Sequence, residues 1–290
     1  MNLAFSEEQR ELRSIVRQFL EAKSPEAAVR AQMGTERGYD PDVWAQMAEQ
    51  LGLQALAIPE EHGGQGFGFV ELFVVLEEMG RALLCAPFFS TTVLATTALL
   101  EAGDAEASAA VLPGIAAGTT IATLAFTEPN RRWDEEGIEA AAGLDSDGTW
   151  RITGTKTHVL DGHVADVVLV VARTSAGLSL FRVDGESDGL TRIALATMDQ
   201  TRTQAELVFD AAAATLVGVD GGAGAVLARV LDVAAVALAA EQVGGAGRCL
   251  EMAVEYAKDR VQFGRPIGSF QAIKHTCADL LLQVESARSA

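Results

Sequence analysis

The stretch Arg260-Val-Gln-Phe-Gly-Arg-Pro-Ile-Gly-Ser-Phe-Gln-Ala-Ile-Lys-His-Thr-Cys-Ala-Asp279 ends one helix, turns through Gly264 and Pro266, and begins another. Upstream, helical character runs from near Gly222 to about Lys258, a length that suits a long packing helix in a bundle. Downstream, a helix starts near Phe270, carries Leu280, Leu281, Leu282 and Val284, and reaches Ala290 with no Gly, Asn or Pro to stop it. The chain therefore reads as cut off inside an element, with an incomplete C-terminal helical domain at 218–290.

The opposite end is helical as well. Leu12, Ile15, Val16, Phe19 and Leu20 recur at helical spacing between Ser6 and Lys23, with Ser6 as N-cap. A second helix is predicted from Pro41 to about Leu51, capped by Asp40. After the loop at 57–68, helix returns from Phe69 to Arg81, and two Ala-rich helices fill Phe88 to Ala117. The period changes after Gly118. Thr120–Phe126, Trp150–Lys156, Val167–Val171, Leu178–Val183 and Ala205–Phe209 read as short strands punctuated by Gly, Asp and Ser. The class is α+β, with a helical domain at 1–118, a β domain at 119–217 and the helical domain at 218–290.

At 290 residues, 49% of them apolar, the chain can bury a large core. No uncharged apolar run reaches the roughly 18 residues needed to cross a bilayer, and Met1-Asn-Leu-Ala-Phe-Ser-Glu-Glu carries acids where a leader would carry bases. A cytoplasmic protein with no membrane insertion is expected. The net charge of −18 argues against a nucleic-acid partner, though Arg260 and Arg265 form a local basic spot able to hold a phosphate. Cys85, Cys249 and Cys277 are odd in number and set among apolar or small residues, so buried free thiols are expected rather than disulfides or metal ligands.

Several chemistries lack their residues. Neither Gly63-Gly-Gln-Gly-Phe-Gly68 nor Gly221-Gly-Ala-Gly224 fits a dinucleotide loop, because Phe69 and Leu227 occupy the third glycine's place. His62, His158, His163 and His275 are scattered, without metal-ligand spacing. No G-x-S-x-G elbow is present. Gly244, Gly245 and Gly247, inside a helical stretch, are expected to allow close helix packing.

Four motifs occur in order: Ile58-Pro-Glu-Glu-His-Gly-Gly-Gln-Gly66, Phe126-Thr-Glu-Pro129, Ile152-Thr-Gly-Thr-Lys156 and the Arg260–Asp279 stretch. Together they resemble the acyl-CoA dehydrogenases. The resemblance implies an N-terminal helical domain, a central β-barrel and a C-terminal helical bundle. It also implies FAD as cofactor, an acyl-CoA substrate, and a homo- or hetero-oligomeric dimer of dimers with another acyl-CoA dehydrogenase subunit. In such enzymes a glutamate takes the α-proton while the flavin takes the β-hydride. The flavin lies on its own subunit's barrel and its pyrophosphate reaches a partner's helices.

On that resemblance Arg260, Gln262, Phe263 and Gln271 match the edge a chain lends to a neighbour's flavin. The plainer alternative is that Arg260 and Gln262 finish a helix and that Phe263 is core. The barrel side departs from the family. Asn130-Arg-Arg-Trp-Asp134 stands where a small Gly-Ala-Gly-Ser-Asp turn is usual, and His158 and Leu160 replace a Trp and a Thr or Ser. Leu160 cannot donate a hydrogen bond, His158 can still stack, and Thr127 is either a flavin donor or a strand-end hydroxyl. No catalytic base is assigned. The commoner family position lies beyond Ala290, and the alternative corresponds to Ala234, beside Ala235. One intact and one damaged half-site lead to the expectation of a subunit that contributes an FAD half-site to a partner, with a self-sufficient homotetramer or a non-catalytic scaffold as alternatives.

Overall fold

The computed structural model describes residues 5–290; Met1–Ala4, on which the reading against a leader partly rests, lie outside them. Helices α1 (Glu7–Lys23), α2 (Glu26–Met33), α3 (Pro41–Glu49) and α4 (Phe69–Ala82) come first. A π-helical turn at Phe89–Ala95 then runs into α5 (Thr96–Ala102), and α6 (Ala105–Ala116) follows. The caps do what their residues dictate. Ser6 and Gln9 form a reciprocal capping box, and the Asp40 carboxylate accepts from the backbone N–H groups of Asp42 and Val43 just before Pro41. Helix α2 has no sequence expectation behind it, because eight residues show too short a stretch of period.

Seven strands follow: β1 (Ala122–Ala125), β2 (Ala141–Leu144), β3 (Trp150–Leu160), β4 (Val167–Arg173), β5 (Leu178–Asp184), β6 (Leu190–Ala194) and β7 (Gln204–Val217). Strands β4, β2, β3, β7 and β5 close into a ring, since β5 pairs with both β7 and β4. β1 adds in parallel to β4, and β6 adds antiparallel to β7. Val168 to Ala172 are all buried, so this continuous apolar strand is covered on both faces. Strands β2 and β6 escape sequence reading because their residues are mostly exposed and carry no apolar alternation. β7 runs eight residues beyond its expected end, through the run Asp210 to Val217.

The described residues form two compact units that interleave along the chain. One comprises Ala27–Phe69 and Cys85–Ala235 and contains the barrel. Its core includes Ile152, Leu169, Phe181, Leu207 and Phe209, and the Trp44 indole N–H donates to the Gly118 carbonyl at 2.8 Å.

The other unit is helical: the segment ending at Glu26, Val70–Leu84, and Val236–Ala290. Within it α7 (Ala223–Asp259) crosses α4 on glycines. A Cβ at Gly244 would lie 1.8 Å from the Glu77 carbonyl oxygen, and one at Gly80 would lie 2.0 Å from that of Glu241. The expectation for Gly244 holds, and Gly80 is its unforeseen counterpart. Gly80→Ala is expected to destabilise the chain by about 1–3 kcal/mol, read as a lowered denaturation midpoint, because rigid backbone occupies the space a methyl needs. Carboxylates of α4 brace it against other segments of this unit. Glu78, almost fully buried, takes a bidentate pair from Arg17, and Glu77 accepts from Arg13 and Arg288 at 2.7 Å each.

Helix α7 is long and apolar enough, by length and composition, to cross a membrane. No uncharged run in it reaches 18 residues, and a single such helix is weak evidence, because the packing helix of a bundle meets the same description. All three cysteines are free, as expected, but only one is buried. Cys85 is buried, and burial pushes its thiol up to about 11, whereas Cys249 is exposed and Cys277 half-buried on helices that offer them no complete cover.

Candidate functional site

The Phe126-Thr-Glu-Pro and Ile152-Thr-Gly-Thr-Lys motifs form one cross-strand knot on the barrel. The Thr157 N–H donates to the Thr127 carbonyl at 2.9 Å, and the Thr127 hydroxyl donates to the Thr157 carbonyl at 2.5 Å. Beside them the Lys156 ammonium donates to the Glu128 carboxylate at 2.7 Å, with both side chains almost wholly buried. Glu128 also accepts the backbone N–H groups of Glu139 and Ala140, at 3.0 Å each. Burial pulls the Lys156 ammonium down to about 8, and Glu128 opposes that shift.

This knot places His158. Between Lys156 and Val159 the β3–β7 register slips, leaving a bulge in which His158 takes φ +54° and points its ring to solvent. A non-glycine residue in that region is strained, and the reciprocal Thr127–Thr157 pair accounts for its persistence. Because the Thr127 proton is committed to Thr157, that hydroxyl offers a ligand only its lone pairs.

The turn after Pro129 is bulky and self-contained. Asn130 donates to the Gly137 carbonyl at 2.7 Å, Arg132 pairs with Asp134 and Glu136, and Asp134 caps the short turn Glu135–Gly137. Trp133 is 66% exposed and stands edge-on to Phe126, with 5.6 Å between ring centroids. No small, glycine-lined approach remains at this point in the sequence.

Three residues beyond His158 the structure adds a group that the sequence did not single out. Asp161 is buried at φ +53°, and its carboxylate accepts from Ser90 at 2.6 Å and from Thr203 at 2.7 Å. Burial raises its pKa above the ordinary carboxylate value, against the two hydroxyls and the more distant Arg202 and His163. Its folded pKa therefore exceeds its unfolded one. As pH climbs above about 4 the unfolded chain ionises first, and this group's contribution to stability falls until the folded carboxyl ionises. The stability difference between wild type and Asp161→Asn is thus expected to shift in the variant's favour on raising the pH from 4, as denaturant titrations would measure.

The other candidate residues belong to the helical unit. Helix α7 ends at Asp259 with the Arg260 N–H still donating to the Tyr256 carbonyl at 2.9 Å, so Arg260 does finish the helix, whereas Gln262 lies beyond it. Val261–Gln262 (β8) and Arg265–Pro266 (β9) pair as an antiparallel hairpin, with Gln262 opposite Arg265. Phe263 and Gly264 turn it at φ +53° and +74°, a two-residue connection with both centres left-handed. Phe263 is 90% exposed, which rules out the core reading, and its ring stands edge-on to Phe270 at 6.1 Å. The Ile267 N–H closes the hairpin's base on the Arg260 carbonyl at 2.8 Å. Among the described residues the Arg260 guanidinium makes no ion pair or hydrogen bond. Gln271 opens α8 (Gln271–Ser289) and lies 3.5 Å from the His275 ring nitrogen. No residue of α8 is fully buried, and Leu280, Leu281 and Leu282 are exposed.

Ala234 and Ala235 bring no carboxylate to α7; Asp232 is exposed and Glu241 half-buried. No group of three or more metal-ligating side chains exists among the described residues. The charge pair Glu128–Lys156 was legible only as two halves of separate motifs, and Asp161 only as part of an Asp-Gly turn.

Three family models match the chain: the acyl-CoA dehydrogenase N-terminal domain over residues 6–119, the middle domain over 123–212 and the C-terminal domain over 220–290. Acyl-CoA dehydrogenase IpdE2 of Mycolicibacterium smegmatis is 39% identical over 288 residues, covering 98% of this chain and 75% of that protein. IpdE2 of Mycobacterium tuberculosis is 40% identical, covering 98% and 74%. Among solved structures, the steroid acyl-CoA dehydrogenase Tcur3481-Tcur3483 superposes with a TM-score of 0.85 at 36% identity, over 96% of this chain and 74% of that one. The ChsE4-ChsE5 complex of Mycobacterium tuberculosis does so with a TM-score of 0.87 at 30% identity, over 98% and 76%. With all three domains matched in order on a helical, barrel and helical chain, this protein belongs to the acyl-CoA dehydrogenase family, the FAD-dependent oxidoreductases of acyl-CoA thioesters.

Proposed function

We propose that this chain is a subunit of a heteromeric acyl-CoA dehydrogenase and lends its Arg260–Phe263 hairpin to FAD held mainly by a different subunit. The observation that carries this reading is the contrast between its two half-sites. The hairpin fits the cofactor: an unpaired guanidinium suits a diphosphate, an exposed amide suits its oxygens, and a solvent-exposed aromatic ring suits a flat ring system. The barrel side fits it poorly. The Thr127 proton is already used, Leu160 has no donor, and the ordered turn at 130–137 replaces glycines that permit close backbone approach.

When bound, the flavin supplies the two-electron acceptor for α,β-dehydrogenation of the thioester. This chain's part is to bind and orient: Arg260 neutralises phosphate charge, Gln262 and Gln271 offer amides, and Phe263 covers an aromatic face. His158 contributes at most a stacking surface on the barrel. Positions 234 and 235 are alanines and supply no proton acceptor. Two structural relatives, Tcur3481-Tcur3483 and the ChsE4-ChsE5 complex, each pair two components, which favours a two-subunit assembly, and the first, a steroid enzyme, favours a bulky acyl group.

The test is the flavin-to-chain ratio of the purified protein, alone and co-expressed with an adjacent acyl-CoA dehydrogenase subunit. Flavin only in the mixed assembly, near one per two chains, is the expected result. Stoichiometric flavin in the chain alone would overturn the reading in favour of a self-sufficient oligomer, and no flavin in either would favour a scaffold.

A further inference from the structure

The hairpin carries a second guanidinium that the site described above leaves unused. Gln262 lies directly opposite Arg265 in the ladder, and cross-strand partners share a face. The Ile267 N–H donates to the Arg260 carbonyl and closes the base of the ribbon on the end of α7. Gln262 and Arg265 therefore stand on one face of the ribbon, with Val261 and Pro266 on the other, and Arg260 adjoins its base.

Arg265 is exposed and has no carboxylate or hydrogen-bond acceptor among the described residues. It is nonetheless held in place. Its guanidinium carbon sits 4.2 Å from the centroid of the Phe270 ring, which in turn meets Phe263 edge-on. A stacked guanidinium keeps its in-plane N–H groups free to donate. Elsewhere the chain spends guanidinium charge on its own acids, as Arg13, Arg17, Arg81, Arg132 and Arg288 do, and with a net charge of −18 acids are plentiful. Two unpaired arginines flanking one amide on a two-strand ribbon match a ligand with two adjacent anionic centres.

We propose that Arg265 and Arg260 form a two-arginine clamp for an adenosine diphosphate ester, with the Phe270 ring fixing the orientation of Arg265. The proposal rests on the half-site reading above and adds to it a residue that reading does not use. FAD and the CoA thioester both carry this diphosphate, so the ligand chemistry is shared and the test must separate the two.

The experiment uses the flavin-containing assembly with Arg265→Met, Arg265→Lys and Arg260→Met. After flavin removal, FAD and riboflavin are rebound at low and raised salt, and the KM for acyl-CoA is measured on the reconstituted enzyme. Arg265→Met is expected to weaken FAD binding about tenfold or more, as loss of a charge-assisted contact does. It should flatten the salt dependence and leave riboflavin binding unchanged, while Arg265→Lys keeps the salt dependence and loses part of the affinity. An effect confined to the acyl-CoA KM would uphold the clamp and give it to the CoA diphosphate. FAD affinity and KM both unchanged in Arg265→Met would overturn it, as would equal losses for FAD and riboflavin, which mark a merely structural role. Unchanged flavin binding in Arg260→Met sinks the half-site reading itself, whatever Arg265 does. An assembly without flavin overturns both.

Discussion

Arg260→Ala lowers the flavin content of the assembled protein at least tenfold while leaving the thermal midpoint of the chain nearly unchanged. The two halves of this expectation come from the same observation. The guanidinium is exposed and engages no acceptor among the described residues, so its removal breaks no packing there and orphans no buried group. Surface changes of that kind leave stability within about 0.5 kcal/mol. A charge-assisted, bidentate contact to a diphosphate, in contrast, is worth one to two powers of ten in affinity. Flavin absorbance per chain after gel filtration reads the first half, and a melting curve reads the second. Flavin content equal to wild type would mean that Arg260 serves no cofactor. Loss of flavin together with a lowered midpoint of the flavin-free chain would mean that the hairpin matters to folding rather than to binding; the flavin-free chain is the one to melt, because loss of a bound ligand by itself lowers a midpoint.

Glu128→Ala is expected to cost the chain about 3–5 kcal/mol, the penalty for breaking a buried ion pair by removing one partner. Three donors lose their acceptor at once: the Lys156 ammonium and the backbone N–H groups of Glu139 and Ala140. At roughly 2–4 °C per kcal/mol for a chain of this size, the melting midpoint should fall by about 10 °C. Removing both charges, as Glu128→Ala with Lys156→Met, should recover a good part of that loss, because the uncompensated ammonium is then gone. A single variant as stable as wild type would show that water reaches the pair. His158 reports the same disruption locally, since the bulge that turns it outward starts at Lys156.

The helical segments were readable because their signals are local. Ser6, Asp40 and Pro41 start helices by satisfying or lacking backbone donors, whatever surrounds them. The apolar run Val167–Val171 was readable as a short strand, and its cover on both faces came only with the fold, whereas β2 and β6, mostly exposed, gave period no purchase. The candidate hairpin was readable as a turn, but its pairing was not, because two-residue strands are too short to show alternation. The exposure of Cys249 was misread for a related reason: Gly247 and Leu250 beside it are small or apolar, and only the fold shows that Cys249 itself faces outward on α7.

By itself the amino-acid order determined the sequence of helical, β and helical regions and the motifs that carry the family. Those depend on capping, periodicity and residue identity within a few positions of each other. Tertiary structure alone decided that Thr127 spends its proton on Thr157, that Lys156 and Glu128 neutralise each other out of water, and that Gly80 answers Gly244 across two helices. It also set Arg265 on the same ribbon face as Gln262, steadied by Phe270. Each of these is a contact whose partners take their places only when the chain closes on itself, so its energy has no trace in local sequence period.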